Sequence, residues 1–206
     1  MDQIAAPNFF AATPRRTRGF TLVELLTVMG IIAVLLAVAV PAFTKISQGT
    51  DLTRTGQDFA DALTLARDEA QGRNRKVAIR LIQQPGAAST TKRYRSVQLW
   101  AAKDDAGTMV AIGKMIQFPN NIVIAEGDKS PLLKTPPAQA GSMTIGGISC
   151  NYVSLTINAR GTLDASATGG SYLTIVQEND VLATSPKNFF AVYINPATGQ
   201  FNTFRP

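Results

Sequence analysis

One acidic residue, Glu24, lies at the start of a long apolar segment of this 206-residue chain. Residues 25 to 44 carry no charge, and as a helix they would extend about 30 Å, enough to cross the hydrocarbon core of a membrane. A carboxylate near the lipid costs roughly 3 kcal/mol unless something pairs with it. The segment therefore predicts a membrane helix carrying one acid that membrane insertion alone does not explain.

The residue types that most enzymes rely on are scarce. The chain contains no histidine and a single cysteine, Cys150, so the commonest general base is missing and no disulfide can form within the chain. Without a histidine to act as its base, the thiol is expected to be a small buried hydrophobe rather than a nucleophile. We find no phosphate loop, dinucleotide fingerprint or metal-spaced cluster. These observations predict a protein that is not an enzyme and that has neither a cofactor nor a metal.

The strongest candidate for polyanion binding is a group of basic residues between positions 73 and 95. Its members are Arg73, Arg75, Lys76, Lys92, Arg93 and Arg95, with Arg80, Tyr94 and Trp100 nearby. Arginines beside aromatic rings can hold phosphates and stack on bases. The alternative is that basic residues at a helix end complement the helix dipole. A net charge of +6 is too small to identify a nucleic-acid binder by itself.

Three interpretations compete for residues 15 to 43. A cleaved secretory signal fits badly, because its apolar core would be shorter and would not contain an acid just beyond the basic cluster. A plain membrane anchor explains the length and the basic flank of Arg15, Arg16 and Arg18, but leaves Glu24 unpaired. The third interpretation is a leader followed by a helix that is kept in the mature protein.

The residues themselves favour the third interpretation, because the segment resembles a type IV prepilin. The similarity lies in a basic leader that ends in Gly19, followed by Phe20, Thr21, Leu22, Val23, Glu24 and a long apolar helix. The resemblance implies cleavage between Gly19 and Phe20 by a prepilin peptidase and methylation of the new amino terminus at Phe20. It also implies that Glu24 pairs with the amino terminus of a neighbouring subunit during assembly.

The rest of the chain changes period after the membrane helix. Apolar or small residues recur at three- and four-residue spacing from Asp51 to about Arg73, which predicts an amphipathic helix packed on a sheet. Charged pairs are expected on its exposed side between Asp51 and Arg54 and between Glu69 and Arg73. Residues 129 to 141 are predicted to form a loop. Strands are predicted around Val77–Leu81 and Val97–Leu99, and over Met109–Phe118, Ile122–Ala125, Met143–Ile148, Tyr152–Ile157, Tyr172–Gln177, Phe189–Ile194 and Phe201–Phe204.

Two turns in the second half resemble those of the GspH/FimT-type minor pilins and pseudopilins. They run from Ile157 to Thr162 and from Ile194 to Phe201, and their glycines, Gly161 and Gly199, are expected to supply positive φ angles. The expected fold is α+β and pilin-like: a long amino-terminal helix, membrane-spanning in its first half, packed on a carboxyl-terminal antiparallel β-sheet. The expected divisions are a leader at 1–19, the assembly helix at 20–74 and a β-rich domain at 75–206.

The resemblance also implies a function and a location. We expect a minor pilin or pseudopilin of a type IV pilus or type II secretion pseudopilus that helps to initiate or cap the filament. The expected location is the inner membrane, with a single span and a periplasmic domain. Expected partners are other pilin or pseudopilin subunits, the prepilin peptidase and methylase, and secreted cargo or DNA. A DNA-binding minor pilin acting in DNA uptake is the alternative function.

Overall fold

The computed structural model describes residues 19–87, 90–103, 107–134, 140–164 and 170–206, so the predicted leader lies outside the described residues except for Gly19. The first element, helix α1, runs from Leu22 to Gly72. Its segment Leu22–Val40 is long and apolar enough to cross a membrane, with a mean hydropathy of 2.7 and no part of it buried. The chain divides into two compact units, one ending at Phe43 and the other beginning at Thr44.

The second unit combines the later half of α1 with an antiparallel sheet, to which the described residues contribute nine strands. The strands are β1 Val77–Pro85, β2 Lys92–Ala102, β3 Met109–Gln117, β4 Ile122–Ile124, β5 Gly141–Ile145, β6 Ile148–Ile157, β7 Tyr172–Gln177, β8 Phe189–Ile194 and β9 Phe201–Phe204. Their order across the sheet is β5-β6-β1-β2-β4-β7-β8-β9, and β3 pairs with β2 beside this path. The α+β fold with an antiparallel sheet is therefore confirmed.

The predicted apolar stripe of α1 forms the centre of the core. Leu52, Phe59, Leu63, Ala66 and Ala70 are each at most 1% exposed and pack against the inward-facing residues of the sheet. The helix can approach β8 closely because a Cβ at Gly56 would overlap the ring of Phe190. The three- and four-residue spacing thus correctly identified the face of the helix that the sheet covers.

Two predictions about local structure were wrong. The predicted strand Met143–Ile148 is instead the end of β5, a turn at Gly146 and Gly147, and the first residue of β6. Both glycines have positive φ angles, 56° and 81°, which is the geometry of a two-residue type I′ hairpin turn. The alternation of apolar residues breaks at this Gly-Gly pair, which is a signal of a two-residue hairpin turn, so the reversal of the chain could have been located from the sequence.

The predicted loop at 129–141 also contains regular structure. A 3-10 turn covers Gly127–Lys129 and a one-turn helix, α2, covers Pro131–Lys134, while residues 135–139 lie outside the described part. Ser130 holds this segment on the sheet because its Oγ accepts a hydrogen bond from the backbone N–H of Thr174 at 2.9 Å. Burial of Leu132 adds to this attachment.

On the exposed side of α1, one of the two predicted charged pairs forms. Arg73 Nε lies 3.0 Å from Glu69 Oε1, as predicted. Arg54 instead pairs with Asp58, with 3.9 Å between Nε and Oδ2, because the i,i+4 spacing brings these side chains together along the helix. The Arg54–Asp58 pair is exposed and contributes only about tenths of a kcal/mol, whereas the side chain of Glu69 is 15% exposed and also pairs with Arg75.

Candidate assembly site

The predicted cleavage site is the exposed, non-helical beginning of the described chain. Gly19, Phe20 and Thr21 precede the first residue of α1, and the side chain of Phe20 is 75% exposed. A peptide bond outside the helix does not need to be unwound before a peptidase can bind it. The geometry is therefore compatible with cleavage between Gly19 and Phe20, which stays a prediction.

Glu24 has a partner within its own helix. Its backbone N–H donates to Thr21 Oγ1 at 3.2 Å, and Glu24 Oε2 accepts from the backbone N–H of Thr21 at 3.5 Å. This reciprocal arrangement is a capping box, in which the N-cap threonine and the third helical residue satisfy two free N–H groups of the first turn. The sequence analysis missed this role, although threonine three residues before glutamate at the start of an apolar run is its known signature.

The helix beyond Glu24 exposes apolar side chains in every direction. Leu25, Leu26, Ile31, Leu35 and Val38 are all more than half exposed, and the whole segment to Val40 has no buried part. Burying a side chain of this size is worth about 2 kcal/mol, so a bare helix of this kind is unstable in water. The segment therefore needs an apolar environment, such as lipid or other apolar helices.

The two turn motifs lie against each other at one end of the sheet. In the first, Asn158 Oδ1 accepts from the backbone N–H groups of Arg160 at 3.0 Å and Thr162 at 3.3 Å. In the second, Asn195 Oδ1 accepts from the N–H of Ala197 at 3.0 Å. The backbone N–H of Leu163 donates to the carbonyl of Pro196 at 3.1 Å and joins the two turns.

The glycines of these turns do more than adopt positive φ angles. Their φ values are 80° at Gly161 and 66° at Gly199, as predicted. In addition, a Cβ on Gly199 would overlap the carbonyl oxygen of Gly161, and a Cβ on Gly161 would overlap the side chain of Gln71 on α1. Gln71 Nε2 donates to the carbonyl of Arg160 at 3.0 Å. Positive φ was therefore an incomplete explanation, because the close approach of helix and turns also requires glycine.

The candidate polyanion residues separate into two groups. Arg73, Arg75 and Lys76 lie where α1 ends and β1 begins, together with Lys103 and Arg160, and we call these five residues the basic end. Two open cavities of about 610 and 550 Å³ share Asn74, Arg75 and Lys76 in their linings. Within the basic end, Arg75 is held by Glu69 and by the carbonyl of Ala102, whereas Lys76, Lys103 and Arg160 are exposed.

Lys92, Arg93 and Arg95 do not belong to the basic end. In the β1–β2 pairing Val77 faces Ala101 and Pro85 faces Lys92, which places Lys92 and Arg93 roughly 26 Å from the basic end at about 3.3 Å per residue. The side chain of Arg95 is 2% exposed and forms an ion pair with Glu178. The six residues thus do not form one surface, because Lys92 and Arg93 lie at the turn of the β1–β2 hairpin, opposite the end at which β1 begins.

The nearby aromatic residues are also unavailable as a base-stacking platform. The guanidinium of Arg80 lies over the rings of Trp100 and Tyr152, 3.9 and 4.4 Å from their centroids. Tyr94 is 7% exposed in the core, where burial and, to a lesser extent, the charge of Glu126 raise the pKa of its hydroxyl. Cys150 is buried too, at 1% exposure, as predicted. The described residues include no group of three or more carboxylate or thiol side chains placed to hold a metal ion.

Comparison with protein families agrees with this arrangement. Residues 14–40 match the prokaryotic N-terminal methylation motif. With the exposed apolar helix and the antiparallel sheet behind it, this motif defines a type IV prepilin-like protein anchored by its amino-terminal helix. Residues 55–197 match the model for the type II transport protein GspH, and the chain belongs to the GspH family.

Two solved structures are similar to this chain. One is the minor pseudopilin EpsH from the type 2 secretion system of Vibrio cholerae, with 12% identity, a TM-score of 0.45, and coverage of 76% of this chain and 98% of that one. The other is the type IV minor pilin FimU of Pseudomonas aeruginosa, with 14% identity, a TM-score of 0.43, and coverage of 80% and 96%. No curated protein matches.

Proposed function

We propose that this chain is a minor subunit of a type II secretion pseudopilus or a type IV pilus. It acts by assembly and without catalysis: its amino-terminal helix enters the filament core, and its sheet domain helps to initiate or cap the filament. The observation that carries the proposal is the fully exposed apolar helix that begins at a capping box containing Glu24. Neighbouring helices of the same kind would cover both the apolar surface and the acid.

In this proposal the precursor lies in the inner membrane with its sheet domain in the periplasm. The basic leader stays in the cytoplasm, as the positive-inside rule favours. A prepilin peptidase cuts between Gly19 and Phe20, and the new amine of Phe20 is methylated. Mass spectrometry of the mature chain is expected to find Phe20 at the amino terminus with one methyl group; an amino terminus at any other residue would contradict this.

Cleavage would give Glu24 a second use. The new positive amine at Phe20 would lie one residue before the N-cap, next to the groups that Glu24 already bonds. A subunit that brings its amine to the Glu24 of a neighbour would neutralise both charges in a region where unpaired charge is costly. The pairing would set the axial register of the two helices.

Substitutions at Glu24 can separate the pairing role from the capping role. We expect Glu24→Ala and Glu24→Leu to lower incorporation into sheared filaments strongly, because each removes both the charge and the cap. Glu24→Gln keeps a capping side chain at the third helical position but has no charge, and we expect it to fail as well. The measurement is the ratio of filament-bound to membrane-bound chain on immunoblots.

The control for these variants is Asp68→Asn, which removes an exposed acid from the same helix beyond the apolar segment. We expect it to assemble normally. Undiminished assembly of Glu24→Leu would contradict the role of the acid, and rescue by Glu24→Gln would mean that the cap, rather than the charge, is what assembly needs.

The basic end supports a second candidate function, a DNA-binding minor pilin that acts in DNA uptake. Lys76, Lys103 and Arg160 are exposed around the two cavities, which share Lys76, and there they could contact successive phosphates. Glu69 offsets part of this charge through Arg73 and Arg75. The candidate therefore depends on the three exposed side chains.

A salt-dependent binding assay tests this candidate. The full chain in a neutral detergent is titrated with labelled duplex DNA at 50 to 200 mM salt, and binding is expected to weaken steeply over this range. Lys76→Glu and Lys103→Glu should lower the affinity and reduce the salt dependence by about one ion per contact, whereas Lys187→Glu should not. Absence of binding at the lowest salt concentration would exclude the candidate.

A further inference from the structure

An apolar groove runs between the later half of α1 and strand β3. Its cavity of about 340 Å³ has Val97, Leu99, Ile112 and Ile116 on the sheet side and Leu65 on the helix side. Leu65 is 55% exposed although it faces this groove. The sheet extends beyond the helix here, so the inward-facing residues of β3 are only partly covered.

The strand that borders the groove has an unpaired edge. Among the described strands β3 pairs with β2 alone, from Ser96 facing Gln117 to Ala102 facing Met109. An unpaired edge presents backbone N–H and C=O groups that another extended chain can bond. The pairing is irregular between Val97 and Leu99, where Gly113 has a φ of 66°, so the edge is interrupted once.

The charged groups around the groove differ between its two sides. The helix side carries Asp58 and Asp61, and Asp51 continues the same side where a smaller cavity of about 140 Å³ extends the groove toward Phe118. Arg54 forms an ion pair with Asp58 and offsets part of its charge. Lys114 lies on the strand side of the groove. The helix side therefore favours basic groups, with Asp61 as the groove carboxylate that lies one helical turn before Leu65.

We propose that this groove binds an extended segment of a neighbouring filament subunit. The segment adds to the free edge of β3 through backbone hydrogen bonds and places alternate apolar side chains over Leu65, Ile112 and Ile116. A lysine or arginine of the same segment faces Asp61. The proposal rests on the proposed function, since it takes the partner from the filament, but it concerns the sheet domain rather than the amino-terminal helix.

The experiment places a photo-crosslinking residue, p-benzoylphenylalanine, at position 65 of the full chain in cells that make the complete filament system. Adducts are identified by mass spectrometry of the crosslinked peptides. We expect an adduct with another filament subunit, at a segment of alternating apolar residues that contains lysine or arginine. The same crosslinker at position 182 is the matched control, because Leu182 is also a highly exposed leucine, at 88% exposure.

Charge variants test the partner chemistry. Asp61→Lys is expected to lower the yield of the position-65 adduct roughly fivefold, because it puts like charges opposite each other. Asp68→Lys makes the same change on the same helix outside the groove and should leave the yield unchanged. Insensitivity to Asp61→Lys would overturn the proposed chemistry.

The remaining outcomes separate this proposal from the proposed function. An absent adduct, an equal yield at position 182, or adducts only with a second copy of this chain or with a secreted protein would each overturn the groove proposal. Recovery of the crosslinker variants in sheared filaments is measured in the same samples. Normal recovery without an adduct at position 65 contradicts the groove alone, whereas absence of the wild-type chain from filaments contradicts the proposed function.

Discussion

Two glycines, Gly161 and Gly199, allow the two turn motifs to approach each other closely. At Gly199 a side chain meets two separate obstacles, a positive φ of 66° and the carbonyl oxygen of Gly161. At Gly127 the φ is 72°, but nothing lies within 4 Å of an added Cβ. Comparison of substitutions at Gly199 and Gly127 therefore separates the cost of backbone strain from the cost of close approach.

We expect Gly199→Ala to lower the free energy of unfolding of the sheet domain by about 3 kcal/mol or more. Positive φ contributes about 1 kcal/mol, and the overlap with Gly161 contributes the rest by forcing the turns apart. Gly127→Ala should cost only about 1 kcal/mol. Urea unfolding of the full chain in detergent measures both, followed by fluorescence of Trp100, the single tryptophan, which lies on β2. Equal effects would mean that close approach contributes nothing.

Among the elements, the β5–β6 hairpin shows how a two-glycine turn reverses the chain. Ile145 faces Ile148 across Gly146 and Gly147, and nothing lies within 4 Å of a Cβ built on either glycine. The chain reversal thus depends on backbone conformation alone. Asparagine tolerates the left-handed conformation at the first turn position and has fewer unfolded conformations than glycine.

We expect Gly146→Asn to raise the free energy of unfolding by about 0.5 kcal/mol. Gly146→Val should lower it by more than about 1 kcal/mol, because a β-branched residue is strained at a φ of 56°. The same urea unfolding measurement applies. A valine variant as stable as the wild type would show that the hairpin does not need this turn geometry.

For the whole molecule, the buried ion pair of Arg95 and Glu178 connects distant parts of the chain. Arg95 also donates from Nη1 to the carbonyl of Asn120, and the backbone N–H of Glu178 donates to the carbonyl of Asn121 at 2.8 Å. A Cβ on Gly86 would lie 2.8 Å from Arg95 Nη2, so the backbone at Gly86 lies against the guanidinium. The pair thus joins β2, the β3–β4 connection and the end of β7.

We expect removal of the two partners to have unequal effects. Glu178→Ala leaves a guanidinium buried without its counter-charge and should cost about 3 kcal/mol or more. Arg95→Met removes the buried charge and leaves Glu178, whose side chain is 28% exposed, able to reach water, so the cost should be smaller. Urea unfolding curves of the two single variants and the double variant measure the difference. A larger loss for Arg95→Met would contradict this account.

The elements of this fold that depend on local periodicity could be read from the sequence. The apolar run before Val40 and the buried stripe from Leu52 to Ala70 follow directly from residue spacing, and most strands coincide with alternating segments. The capping box of Thr21 and Glu24 could have been found in the same way, because its signature spans only four residues. These features are local, so their physical causes lie within one or two turns of chain.

The sequence by itself showed that this chain has an apolar segment long enough to cross a membrane as a helix, with an acid at its start, because hydrophobicity and length are local properties. Only the tertiary structure decided which basic residues lie together, because sheet register carried Lys92 and Arg93 away from the basic end and buried Arg95 against Glu178. It also decided that the two turns touch and that a groove remains beside β3. Each of these depends on contacts between residues far apart in the chain, and no local pattern records them.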